Sequence, residues 1–266
     1  YHLPYALSFI ESKIIFGLSN LNTAYVYNSI WLNISSLFFI QNKNFDFLTL
    51  PNFLIFLSFI LFTINNINNK KKIEISDYFL IIILFYFLLK FTRISEFGID
   101  LPLAIYSLLC IYFFLKYFET NLLHRKKFYF FCNFTFSIFS VLIKLSSLPI
   151  LLLTLFLYVK NFKKSKLLKF DKNYLFIYVI SLSFLIQQYI YTGCFIFPSE
   201  ISCLNVSWFN SNFIEIKNSL ELTNKSYSEA RNIYTAEEYL NNFTWLSFWL
   251  KRNYIEILEH LMTIII

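Results

Sequence analysis

Arg93, Glu96 and Asp100 crowd into one short stretch, T-R-I-S-E-F-G-I-D-L-P over residues 92–102, between two of the most apolar runs of the chain. A cation beside carboxylates can hold a phosphate while a carboxylate takes a proton from a hydroxyl. Lys144, in I-K-L-S-S-L-P, is a further isolated cation at a break between apolar runs. The same residue types have structural uses. Asp100 directly before Leu101-Pro102 has the pattern of a helix N-cap with proline near the helix start. Charges at helix ends also serve as interfacial anchors.

Which use applies depends on the elements that carry these groups. The chain has 57% hydrophobic and only 15% charged residues, with a mean hydropathy of +0.55, too apolar for an ordinary soluble domain. A polytopic membrane protein is the class that fits. The 35 Phe and 19 Tyr reflect the codon bias of an AT-rich genome. The net charge of +7 is what an excess of Lys and Arg in one set of loops produces, and it calls for no nucleic acid. Three glycines in the whole chain exclude glycine-rich phosphate loops, and neither H-E-x-x-H nor G-x-S-x-G is present. The chain opens at Tyr1 without an initiator Met or a signal-type segment and ends inside an apolar run, which predicts a fragment of a longer multi-span protein.

Four segments read as spanning: residues 45–64, 78–92, 101–118 and 174–192, each mostly Phe, Leu and Ile and near the length a hydrocarbon core requires. Lys70, Lys71 and Lys72 follow the first, His124, Arg125, Lys126 and Lys127 follow the third, and Lys160, Lys163, Lys164, Lys166, Lys169 and Lys172 precede the fourth. The positive-inside rule makes those three loops cytoplasmic. Residues 92–102 then form a non-cytoplasmic turn. Residues 128–143 and 145–159 must make an even number of passes, a hairpin of helices short of a full crossing with Lys144 at its outer tip. Residues 1–44 read as an outer loop with interfacial helices, because a full span over 27–40 would place the triple lysine outside. Residues 45–192 are the membrane helices, 193–250 an outer soluble insertion with Ser228 and Thr235 as N-caps, and 251–266 the start of a further inward span.

Cys110 and Cys132 lie within helices and read as packing residues. Cys194 and Cys203, in G-C-F-I-F-P-S-E-I-S-C, share the outer insertion across a proline turn, which predicts a structural disulfide. The outward-facing polar set comprises Tyr1, His2, Glu11, Asn20, Asn28, Arg93, Glu96, Asp100, Lys144, Glu200 and Trp208. Five Asn-x-Ser/Thr triplets, at Asn33, Asn133, Asn205, Asn224 and Asn242, match the Asn content of the chain.

Tyr1-His2-Leu3-Pro4, Phe16-Gly17-Leu18-Ser19-Asn20-Leu21 and Tyr27-Asn28-Ser29-Ile30-Trp31 resemble the first outer loop of bacterial integral-membrane proteins of the GT-C glycosyltransferase superfamily. Asp100-Leu101-Pro102 resembles their second-loop acid, Lys144-Leu145-Ser146 their helix-end lysine, and Gly193-Cys194 to Pro198 with Cys203 and Trp208 their outer segment. The likeness covers about residues 1–210. It implies an all-α, GT-C-like polytopic bundle that transfers sugar from a polyprenyl-phosphate donor to a glycan or lipid acceptor of the cell envelope, at the periplasmic face of a bacterial inner membrane. Asp100 and Glu96 would be the catalytic acids, and Tyr1, His2, Asn20, Asn28, Trp31, Arg93 and Lys144 the substrate-binding set. A divalent metal, Mg or Mn, is the cofactor that second-loop acids of such enzymes can hold, although the residues here name no ligand set. Two features depart from the family pattern: its first-loop Asp would precede Tyr1, and Lys144 is followed by Leu where some relatives have Gly. A transporter or flippase of lipid-linked glycans is the rival reading, with ionisable groups expected near the bilayer midplane. A non-catalytic scaffold is the third, and it expects the charges to lie apart.

Overall fold

The apolar runs fold as helices, the conformation that satisfies backbone N–H and C=O groups within the segment itself. The computed structural model describes residues 14–21, 23–39, 45–68, 70, 72–90, 98–161, 172–197, 199–209, 213–241 and 243–265. Among these there is no β-strand, only an isolated bridge between Cys194 and Cys203. The α-helices are α1 (Ile30–Ser36), α2 (Leu50–Asn68), α3 (Ile75–Lys90), α4 (Asp100–Glu119), α5 (Leu123–Ile143), α6 (Leu151–Asn161), α7 (Lys172–Thr192), α8 (Phe213–Asn224), α9 (Ala236–Asn241) and α10 (Trp245–Ile265). Among the described residues three helical stretches are long and apolar enough to cross a membrane: Phe47–Asn68, Asp100–Glu119 and Tyr174–Thr192.

The largest core is made where α2, α3 and α4 meet, from Phe56 and Phe59, from Leu80, Ile83 and Phe87, and from Leu101, Ile105, Leu109, Tyr112 and Phe113. Polar groups join α4 to the next two helices. Asn133 of α5 is fully buried, donates to the Cys110 carbonyl of α4 at 2.8 Å and accepts from the Thr154 hydroxyl of α6 at 2.8 Å. In an apolar setting such an amide finds its best partners on neighbouring helices. The chain thus has two ends: one carries the start of α4, the C-terminus of α5 and the end of α7, the other the start of α3 and the end of α4.

Several expectations change. The segment expected to span over 78–92 is the 16-residue α3, shorter than the three long helices. The first arm of the 128–159 hairpin is longer than expected, because the basic run His124–Lys127 is already helical and α5 reaches 21 residues. Lys and Arg are good helix formers, so the basic loop does not delay the helix. Ser228 lies inside a 3-10 turn, Tyr227–Glu229, and caps nothing. Thr235 does cap α9: its backbone N–H donates to Glu238 at 3.0 Å and Glu238 N–H returns to the Thr235 hydroxyl at 3.4 Å. The last helix starts at Trp245 and carries Lys251, Arg252, Glu256 and Glu259, and it is not among the long apolar helices.

Candidate functional site

Lys144 ends α5 in an extended conformation (φ −152°, ψ 119°), its N–H donating to Ser140 O at 3.0 Å. Its carbonyl accepts from Ser147 N–H at 3.0 Å and Ser147 Oγ at 2.9 Å, so the backbone is held on both sides of the break. The chain then continues as a 3-10 turn, Leu145–Ile150, into α6. The break between the two arms of the hairpin thus falls at Lys144, the residue expected from the sequence.

Asp100 is the first residue of α4, with Ile99 at the N-cap position and no side-chain cap bond there. The capping use of Asp100 is not the one adopted. Its carboxylate instead meets the Lys144 ammonium at 3.2 Å, with side chains 73% and 46% exposed. An open pair of this kind can exchange partners: a phosphate oxygen for the ammonium, a hydroxyl proton for the carboxylate. Arg93 and Glu96, like Tyr1 and His2, lie outside the described residues. Among the described residues no three His, Cys, Asp or Glu side chains come together as metal ligands, and the neighbour of Asp100 is a cation. The donors described at Asp100 therefore do not fit a divalent ion.

The first-loop residues pack onto the end of α7. Gly17, at φ +67°, leaves room for Trp208, whose Cβ and carbonyl would stand 3.0 Å from an added Cβ. Gly17 N–H donates to Ile190 O at 2.9 Å, Ser19 Oγ to Tyr191 O at 2.8 Å, and Asn20 Nδ2 to Trp208 O at 3.0 Å. Asn20 thus ties the first loop to the segment after α7. Trp31 is buried in α1, and its indole N–H donates to Asn52 Oδ1 at 2.6 Å. Asn52 Nδ2 passes the connection to Gly98 O at 3.0 Å, two residues before Asp100. Trp31 is therefore tied through one amide to the backbone just before α4. Asn28 is buried and donates to Gln187 Oε1 at 3.3 Å.

Cys194 and Cys203 form the expected disulfide, closing the loop behind Gly193, which has φ +79° and would bring a Cβ to 3.0 Å from Phe209. Cys110 is buried against Asn133, and Cys132 is partly buried, packed against the α2–α4 core. Both agree with a packing role.

Two groups escaped the sequence reading. Gln187 receives Asn28 and Asn33, and the visible signal was two adjacent amides, Gln187-Gln188, inside an apolar run. The other is an ionic cluster at the opposite end. Lys116 is 3% exposed and lies 3.2 Å from Asp77 and 3.0 Å from Glu119, with Glu74 and Lys70 completing the set. Glu119 accepts from the backbone N–H and hydroxyl of Ser76 at 2.8 and 2.6 Å, supplying the first turn of α3 with an acceptor from another helix. The Lys116 and Asp77 charges are paired with each other and with their neighbours, so the cluster reads as a clamp between α3 and α4.

One family model, described as a domain of unknown function (DUF8201), matches residues 1–266. Neither a curated protein nor a solved structure matches the chain.

Proposed function

We propose that this chain, which belongs to the DUF8201 family over residues 1–266, is a membrane glycosyltransferase of the GT-C type. It uses a polyprenyl-phosphate-linked sugar and an envelope glycan or lipid acceptor at the periplasmic face of a bacterial inner membrane. The observation that carries this reading is the open Asp100–Lys144 pair, formed by a helix start and a helix end that are 44 residues apart in sequence.

In this reading the donor phosphate engages Lys144 and frees Asp100 from the ion pair. The acceptor hydroxyl attacks the anomeric carbon while its proton passes to Asp100. The bond from that carbon to the phosphate oxygen breaks, and the charge left on the phosphate is held by Lys144. A single displacement inverts the anomeric centre. Arg93 is assigned to the same phosphate and Glu96 to the acceptor.

The scaffold alternative expects separated charges, whereas Asp100 and Lys144 are in contact. The transporter alternative expects ionisable groups at mid-span. The ion pairs described in the bundle instead sit at helix ends, at residues 100 and 144 on one side and at 70–77 and 116–119 on the other. Transfer of labelled sugar in membranes carrying the full-length protein tests the reading. Asp100→Asn and Lys144→Ala should each abolish transfer, and wild-type activity in both removes the assignment.

A further inference from the structure

Around the end of α7 the first loop builds a polar cluster whose described members are all neutral. Gln187 Oε1 accepts from Asn33 Nδ2 at 2.7 Å and from Asn28 Nδ2 at 3.3 Å, and Gln187 Nε2 donates to the Tyr191 hydroxyl at 3.2 Å. Two oxygens beside this network are buried with no hydrogen-bond partner: Ser29 Oγ, in a residue 1% exposed, and Asn33 Oδ1. Ser29 is the N-cap residue of α1, and its carbonyl accepts from Asn33 N–H at 3.4 Å, so the two residues share the first turn. A buried polar group without a partner is costly, and native structures seldom keep one unless something outside the protein supplies the hydrogen bond. Asn33 and Gln187 are only partly buried, so the cluster can be reached.

The chemistry of the missing partner follows from the lining. Amide oxygens and hydroxyls present both acceptors and donors, matching a ligand that carries several neutral hydroxyl groups. Among the described residues the cluster presents amides and hydroxyls and no cation for a phosphate. Tyr191 also connects the cluster to the start of α4. Ile99, the residue before Asp100, packs against the buried group of Leu18, Leu32 and Tyr191.

We infer that Asn28, Ser29, Asn33, Gln187 and Tyr191 form a binding site for the hydroxyl groups of a sugar ring, set beside the Asp100–Lys144 pair. That the ring belongs to a transferred sugar rests on the transferase reading. The binding itself does not.

The test uses the full chain in lipid nanodiscs and saturation-transfer NMR with methyl α-D-mannopyranoside, methyl β-D-galactopyranoside and N-acetyl-D-glucosamine as probes. At least one should give a saturable signal, weakened about tenfold by Gln187→Leu and by Ser29→Ala, the loss of roughly one neutral hydrogen bond. Ser29→Ala removes a hydroxyl that has no partner, so its melting temperature should equal or exceed that of the wild type. It decides the matter if Gln187→Leu does not fold. No saturable signal from any of the three sugars, or undiminished binding in folded Ser29→Ala, overturns the site. Asp100→Asn should retain sugar binding. If no donor supports transfer but Ser29→Ala loses the sugar, the transferase reading falls and the site stands. If transfer proceeds and Ser29→Ala changes neither its KM nor sugar binding, the site falls and the transferase stands.

Discussion

The ammonium of Lys144 stands 3.2 Å from the carboxylate of Asp100, and both side chains are largely open to solvent. Exposed pairs of this kind contribute about 0–1 kcal/mol to stability. Asp100→Asn and Lys144→Ala should therefore melt within a few degrees of the wild type, while transfer falls about 100-fold or more. Thermal unfolding measured beside the membrane assay separates the two effects. A large drop in melting temperature would reassign the pair to the fold.

Lys116 is the opposite case. It is 3% exposed and faces Asp77, itself 1% exposed, at 3.2 Å. Removing one member of a buried ionic group costs about 3–5 kcal/mol, because the remaining charge keeps its desolvation penalty. Lys116→Met should lower thermal stability by that order. Lys70→Met, at a residue with a 24% exposed side chain, should cost less. Equal effects would contradict the clamp.

Asn133→Leu should destabilise the bundle by about 1–3 kcal/mol, since it leaves the Cys110 carbonyl and the Thr154 hydroxyl without this partner. In Thr154→Val, Asn133 keeps its bond to the Cys110 carbonyl, so this variant should cost less than Asn133→Leu. Because the two residues share a bond, the double variant should lose less than the sum of the single ones. Chemical unfolding of the four proteins checks this.

Gly17→Ala meets two obstacles, a left-handed φ of +67° and contacts to Trp208 at 3.0 Å. The backbone term alone is roughly 1–2 kcal/mol. The expected result is a lower melting temperature together with faster proteolysis around Trp208, where Asn20 now holds the loop. Unchanged proteolysis would mean that the first loop does not secure this segment.

Glu238 accepts the Thr235 backbone N–H, a bond that holds its carboxyl below the ordinary glutamate range. A lowered folded value means the stabilisation is present above the unfolded value, roughly 4.3, and is lost as pH falls through the folded one. Amide exchange in α9 should therefore speed up, relative to intrinsic rates, as pH drops below about 4. Glu238→Gln should remove that dependence.

Much of the architecture was legible because the bilayer constrains so few features. Apolar length marks a helix, and a polar break between two apolar runs marks where one helix hands over to the next. That reasoning put Lys144 at a hairpin tip, and Lys144 is in contact with Asp100. Cys194 and Cys203 were legible from spacing and a shared loop. The second expected span, over 78–92, corresponds to α3, whose start at Ile75 lies three residues earlier because Ile75, Ser76 and Asp77 already form its first turn.

What the sequence alone determined is the class: a helical protein with segments apolar enough for a membrane and its isolated charges at their ends. Whether each charge is buried or open was decided only by the tertiary structure. Lys116 and Lys144 both look like cations flanking apolar runs. One is enclosed by carboxylates from two helices and the other faces solvent beside Asp100, because desolvation depends on neighbours that are distant in sequence. The amides follow the same rule. Asn28, Asn33 and Gln187 meet only when the first loop folds back on α7, a contact across more than 150 residues that no local periodicity encodes.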